Sequence, residues 1–197
     1  MLRGTASVVA VGLLAACGTS TRAPASVAPA TPTPATFSGI GFTVGVPRGW
    51  YSETIVNDGA SGTIYGLASQ DVQLPADGVV PQGVIGIEIG YAAASSVPAQ
   101  DGDPSTMTPV QLVTTTAGIP QGATLVSEEQ PTTTTLDGVT AGMVTFTYTY
   151  DGMTATDVDV VAYRDQAVYA IGLEMQPDLL GQGQQALTAT LRSWAWR

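Results

Sequence analysis

Two Asp–Gly pairs, Asp137–Gly138 and Asp151–Gly152, punctuate three long runs in the second half of the chain, and they restrict its fold more tightly than any other feature. Each pair suits the two-residue turn of a β-hairpin, in which both central residues take positive φ and glycine does so without a Cβ penalty. The runs they separate, Thr132–Leu136, Val139–Tyr150 and Thr154–Tyr163, are rich in Val, Thr, Tyr and Phe and read as strands. Ala123–Gln130 before them and Ala167–Met175 after them read the same way. Strands joined by such short turns predict an antiparallel meander. Within it Val144, Phe146, Tyr148 and Tyr150 share one face and Thr145, Thr147 and Thr149 the other, while Tyr169, Ile171, Leu173 and Met175 line one side of the last strand. Pro177 and Asp178 then open a helix whose Leu180, Leu187, Leu191 and Trp194 form an apolar stripe, so that helix should pack across the sheet.

The first half is less regular. In "FSGIGFTVGVPRGWYSE" the residues Ile40, Phe42, Val44 and Val46 alternate with small or polar ones, which predicts one half-buried strand ended by Pro47. The turn Pro47–Arg48–Gly49 delivers Trp50, read as a core anchor. "TIYGLASQ" and Val84–Tyr91 read as further strands. After the loop "PAQDGDPS", Thr108, Pro109 and Gln111 mark a helix start with a Thr-x-x-Gln capping box, and Gly118 and Pro120 close that helix. The fold class expected is α+β, an antiparallel β-sheet meander covered by helices. It forms one domain over residues 37–197, about 160 residues and long enough for a core of its own.

The chain starts with a single Arg3 and the apolar segment "ASVVAVGLLAA", about a dozen residues and too short for a spanning helix. It ends in Leu14–Ala15–Ala16–Cys17, which resembles the lipobox of bacterial lipoproteins. The resemblance implies a signal peptide over residues 1–16, cleavage between Ala16 and Cys17, and a diacylglyceryl group on the Cys17 thiol. Two acyl chains, at about 0.8 kcal/mol per buried methylene, hold a protein where one chain does not. Residues 17–36 comprise that cysteine and a Pro/Thr/Ala/Ser-rich stretch too poor in apolar side chains to fold, a disordered tether. The expected location is the extracytoplasmic face of the cell membrane, with the membrane as a partner through the anchor. Cys17 is the sole cysteine, so no disulfide can staple the domain.

Six arginines, no lysine and no histidine stand against 16 acidic residues, for a net charge of −10. A surface so acidic is unsuited to nucleic acid, whose phosphates demand clustered Lys or Arg. Arginine-only, Ala/Gly/Thr-rich usage fits a GC-rich genome and hence an actinobacterial source. Residue supply also excludes Ser-His-Asp and Cys-His catalysis and lysine Schiff bases. Carboxylates remain, in two visible pairs. Glu128 and Glu129 are adjacent on a strand and point apart, whereas Asp157 and Asp159 share a face, opposite Val158 and Val160, and read as the solvated side of a half-buried strand. Asp101–Gly102–Asp103 lacks the length and closing Glu of a calcium loop and reads as a turn. With neither His nor spare Cys, zinc and copper sites have no ligands, and no metal, cofactor or catalytic residue is expected. Trp194 belongs to the helix stripe; Trp196, two residues on, is an exposed contact or a frayed end.

The stretch "FTVGVPRGW" and the close "AVYAIGLEMQPDLLGQGQQALTATLRSW" together resemble PsbP-like and Mog1-like domains, in which an apolar strand, a Pro, a Gly and a Trp open the domain and a last strand and long helix close it. Actinobacterial LpqN-type lipoproteins combine such a domain with a lipobox and a Pro/Thr linker and resemble this chain along most of its length. The resemblance implies a helix-covered antiparallel sheet and no shared catalytic motif. The metal-linked roles that photosynthetic relatives build with histidine have no residue to carry them here. The expected function is a non-catalytic accessory or binding module for an envelope protein or a small hydrophobic ligand. The alternative is a secreted enzyme using carboxylates alone, which a close cluster of three or more acids lining a deep pocket would favour.

Overall fold

A computed structural model describes residues 35–57, 62–75, 79–97 and 101–197. Ala16, Cys17 and nearly all of the tether lie outside the described residues, which open just before the first strand. Where one strand is expected around Ile40, the chain makes two: β1 (Thr36–Gly39) and β2 (Phe42–Gly45) form a hairpin, turning at Ile40 and Gly41, where Gly41 has φ +78°. Alternation alone hides such a turn, because Ile40 keeps the apolar period while sitting 39% exposed at its tip. The strand pair β1–β2 is completed by β11 (Ala195–Trp196), which pairs antiparallel with β2.

The larger sheet contains eight strands. β3 (Tyr51–Asn57), β4 (Thr63–Ala68), β5 (Gly86–Ala93), β10 (Ala167–Met175), β9 (Met153–Arg164), β8 (Val139–Tyr150) and β6 (Thr124–Glu128) follow one another across it, and β7 (Thr132–Leu136) also pairs with β8. Every pairing is antiparallel. The Asp–Gly turns form as the sequence predicts, with Asp137 and Asp151 at φ 44° and 49° and the following glycines at 82° and 79°. The β9–β10 turn reaches the same conformation without glycine, at Asp165 and Gln166.

Both faces of the sheet are covered, by different elements. On one face lies α2 (Leu180–Ser193) with the small sheet, and Leu187 and Trp194 pack there with Phe42, Val44, Ile87, Ile89, Val158, Val160, Ile171 and Leu173. Trp194 is 4% exposed and stacks on Phe42 at 4.3 Å between ring centroids. On the other face α1 (Pro109–Thr116) brings Leu112 and Val113 onto Val144, Phe146, Tyr148, Val161 and Val168. Its start has the predicted capping box, with Thr108 Oγ1 accepting from the Gln111 N–H at 3.2 Å and Gln111 Oε1 accepting from the Thr108 N–H at 2.9 Å. The helix comes so close to β8 that a Cβ on Gly142 would sit 2.1 Å from the Pro109 carbonyl oxygen. Beside α1 on this face, the β4–β5 connection inserts Leu74 and Val80 over β4 and β5, joining Ala68 and Val84 in a third apolar cluster. Among the described residues no helix is long and apolar enough to cross a membrane.

Candidate functional site

Between the α1 cluster and the Leu74–Val80 cluster runs a strip of sheet that neither covers completely, and it is acidic. The register explains how it arises. Glu53 on β3 pairs with Gly66 on β4, Gly66 with Glu88 on β5, Glu88 with Gly172 on β10, and Gly172 with Asp159 on β9. Directly paired residues in an antiparallel sheet project to the same face. Acids and glycines therefore alternate along one row across five strands. In the next row Glu174 pairs with Asp157, and Asp157 with Phe146 on β8. Strands lie about 4.8 Å apart, so Glu88 and Asp159 rise from backbones about 10 Å apart with only Gly172 between them. Without a side chain at Gly172 the aspartates can lean inward: a Cβ built there would lie 3.2 Å from Asp159 Oδ1 and 3.7 Å from Asp157 Oδ1.

Here the structure corrects the expectation for Asp157 and Asp159. They do share a face opposite Val158 and Val160, but that face is not solvated, because the sheet carries a covering layer on each side. Both aspartates are half-buried, and Asp157 Oδ1 is wholly covered and has no hydrogen-bond partner. Burial, followed by the neighbouring carboxyls, pushes Asp157 well above its ordinary range. Burial drives Asp159 up to about 7 against the lowering effect of a hydrogen bond from the Gly118 backbone N–H. Glu88 rises to about 7 through burial and the charges of Glu174, Asp159 and Glu53. Glu174 rises to about 7 through burial, although it accepts from the Val80 N–H at 3.2 Å. Tyr148 completes the group: it is 0% exposed, and burial with the facing Glu174, Asp157 and Asp159 charges holds its proton on far above the phenolic range.

Glu88 and Glu174 were not singled out by sequence reasoning. Each is a lone acid in an apolar strand, "IGIEIG" and "IGLEM", and such an acid ordinarily marks the wet face. The available signal is the company each keeps. Gly86, Gly90 and Gly172 lie two residues away on the same faces, so those faces lack the side chains that would fill a core. Pairing across strands, which turns these single acids into a row, is not written in any one segment.

The remaining sequence candidates lie elsewhere. Glu128, on edge strand β6, and Glu129, which follows it, are exposed. Asp103 Oδ1 accepts from the Ser105 N–H at 2.9 Å at the start of a 3-10 turn, so Asp101–Gly102–Asp103 is a turn, and hydrogen bonds from the Ser105 side chain and from its N–H hold the Asp103 carboxyl below its usual range. Trp50 is partly buried against the core as expected. Trp196 is neither an exposed contact nor frayed: β11 fixes it, its Nε1 donates to the Leu136 carbonyl at 2.8 Å, and its ring meets Tyr169 at 4.9 Å and Trp194 at 5.1 Å. The Arg164 guanidinium lies 5.0 Å from the Trp196 ring centroid.

Depressions occur at two places among the described residues. One, about 510 Å³, is a shallow dip over the outer side of α2 lined by Gln184, Gln185, Thr188 and Arg192 among others. The other, about 160 Å³, lies where Tyr51, Glu53, Gly66, Asp71 and Val72 meet, at the β3 end of the acidic row.

No protein-family model and no curated protein sequence matches the chain. Among solved structures it is similar to the cyanobacterial PsbP of Synechocystis (TM-score 0.46, 13% identity, covering 83% of this chain and 92% of that one). It is also similar to LpqN of Mycobacterium tuberculosis, described as involved in cell envelope biogenesis (TM-score 0.41, 15% identity, covering 74% of this chain and 90% of that one). These likenesses are distant, and the α+β architecture rests on the strand order and packing given above.

Proposed function

We propose that the chain is a membrane-anchored extracytoplasmic lipoprotein whose folded domain is a non-catalytic accessory or binding module for an envelope protein. The observation that carries this reading is Leu14–Ala15–Ala16–Cys17, placed between an apolar leader and a Pro/Thr-rich stretch, with the only thiol of the chain at the junction. A cytosolic fold has no use for that order of segments. Of the two partner classes expected, an envelope protein is better supported than a small hydrophobic ligand. Among the described residues, the depression over α2 is shallow and open, and the cavity by Glu53 is well below the 300–1,000 Å³ of ordinary ligand pockets.

The carboxylate-only enzyme draws support from one observation, the gathering of Glu88, Glu174, Asp157 and Asp159. Acid–base catalysis by carboxyls needs their affinities for protons driven apart, one group kept as acid and the other as base. All four here are driven the same way, upward, by the same burial. The deep pocket that such an enzyme also needs is not among the depressions described above, neither of which is lined by any of the four.

Growing cells with a radiolabelled fatty acid tests the proposal. The wild-type chain should take up label and fractionate with membranes. Cys17→Ser should lose the label and either leave the membrane or accumulate as unprocessed precursor. A wild-type chain without label would sink the lipoprotein reading.

A further inference from the structure

Strand β3 stands at one margin of the large sheet and, among the described residues, pairs only with β4. Alternate residues along Tyr51–Thr54 therefore turn their N–H and C=O toward a position that no strand fills. Tyr51 is 49% exposed, Ser52 and Thr54 are exposed, and neither proline nor a basic side chain blunts the strand. Its ladder to β4 is regular from Tyr51 to Thr54 and slips only after Thr54. The opposite margin offers no such run, since β6 and β7 divide β8 between them with Pro131 in the gap. Against the regular run of β3 lies the cavity of about 160 Å³, whose lining includes Tyr51 and Glu53 of β3, Gly66 and Ala68 of β4, and Asp71 and Val72 of the β4–β5 connection. Tyr51 pairs with Ala68 and Glu53 with Gly66, which sets all four on the face where that connection packs. Ile55 and Leu74 come within 3.0 Å of a Cβ built on Gly66 and close that end, leaving a recess beside Ala68 and Asp71. Glu53 is held in place, its Oε1 accepting from the Leu74 N–H at 2.8 Å, and a carboxylate keeps acceptor capacity on its second oxygen. The lining contains two acids and no base.

We propose that β3 is a docking edge for an extended segment of the partner envelope protein, which adds a strand beside Tyr51–Thr54 and sets one arginine side chain into the cavity by Glu53 and Asp71. A residue paired with Tyr51 or Glu53 projects onto the cavity's face, and its two neighbours project onto the other. Main-chain hydrogen bonds supply affinity in this mode of recognition, and a pocket for an alternate side chain supplies specificity. At about half the lower limit for ordinary ligand pockets, the cavity suits one long side chain rather than a free ligand. Its two carboxylates select a cation. A planar guanidinium, which offers a fork of donors to carboxylates and packs on aromatic side chains such as Tyr51, matches it better than an ammonium does. Charge also separates the candidate occupants: a chain of net charge −10 repels a second copy of itself and draws a basic segment.

This inference rests on the binding-module reading and names the partner's contact, yet the two fail separately, because fatty-acid labelling reports on Cys17 and peptide binding reports on β3. The test is fluorescence anisotropy of a dye-labelled, end-blocked heptapeptide, valine and threonine alternating around one central arginine, titrated with the purified full chain in detergent. The peptide should bind saturably, and the same peptide with glutamine at its centre should bind at least about tenfold more weakly, the expected loss of charge-assisted hydrogen bonds. Methylating alternate backbone nitrogens of the arginine peptide should abolish binding. Asp71→Asn, a change at an exposed side chain, should weaken binding about three- to tenfold, as should Glu53→Gln, whose amide oxygen can still accept from the Leu74 N–H. Glu128→Gln with Glu129→Gln, at the opposite margin, should leave binding unchanged. Absence of saturable binding of the arginine peptide to the wild type would overturn the proposal. Equal affinity for the glutamine or the N-methylated peptide would do the same. So would competition by blocked free arginine as strong as by the peptide, which would make the cavity a small-molecule site, or sedimentation as a dimer that Asp71→Asn dissociates, which would give the edge to a second copy.

Discussion

Replacing Glu88 by glutamine should make the domain more stable, and only at high pH. The carboxyl sits half-buried among Glu174, Asp159 and Glu53, which together with burial raise it from 4.5 to about 7. An acid raised in the folded state above its unfolded value stabilises the fold fully only while it stays protonated, below the unfolded value near 4.5. That contribution is lost as pH rises through about 7. Forcing the folded state to ionise costs about 3 kcal/mol, and water at the half-exposed side chain reduces this to about 1–3 kcal/mol. Glutamine has nearly the same shape and does not ionise. Urea melts of wild type and Glu88→Gln should therefore coincide within about 0.5 kcal/mol at pH 4.5 and separate by about 1–3 kcal/mol in favour of the variant at pH 8.5. The comparison is made variant against wild type at each pH, so the other acids of the row, Glu53, Glu174, Asp157 and Asp159 with Tyr148 beside them, are present in both. A gain of equal size at both pH values, or a variant less stable at pH 8.5, would refute the burial and mutual repulsion argued here.

Trp194→Ala should cost about 3–5 kcal/mol, as for any large aromatic deleted from a packed core. Trp196→Ala, expected from its sequence position to cost under about 1 kcal/mol, should instead cost about 2 kcal/mol, the sum of one hydrogen bond to Leu136 and an edge-on ring pair with Tyr169; denaturant midpoints of the two variants will rank them. Thr108→Ala removes the acceptor for the Gln111 N–H and half of the capping box, and should lower stability by about 1 kcal/mol in the same assay.

The β7–β8–β9–β10 meander, the Asp–Gly turns, the start of α1 and the buried stripe of α2 were legible in the chain, because each depends on residues near one another; the β5–β10 pairing and the pairing of β6 with β8 rather than β7 were not. A turn needs positive φ at two adjacent positions, a capping box needs Thr and Gln three apart, and an apolar stripe needs only a period. Local signals misled where one pattern serves two structures. Ile40 continues an apolar alternation and yet is the tip of a hairpin. Trp196 looks like a loose end two residues past a helix, and is held by strands that lie about 60 to 150 residues earlier in the chain. The acidic row is the extreme case. Its members come from β3, β5, β9 and β10, and nothing within any one of those strands distinguishes a carboxyl facing water from one facing three other carboxyls. That Asp157 and Asp159 share a face, with Val158 and Val160 opposite, follows from the two-residue period of an extended backbone and can be read from the segment alone. That their face is covered, that Gly172 stands between Asp159 and Glu88, and that Tyr148 looks across at them depend on hydrogen-bond register and the packing of a second layer, which are relations between segments distant in the chain.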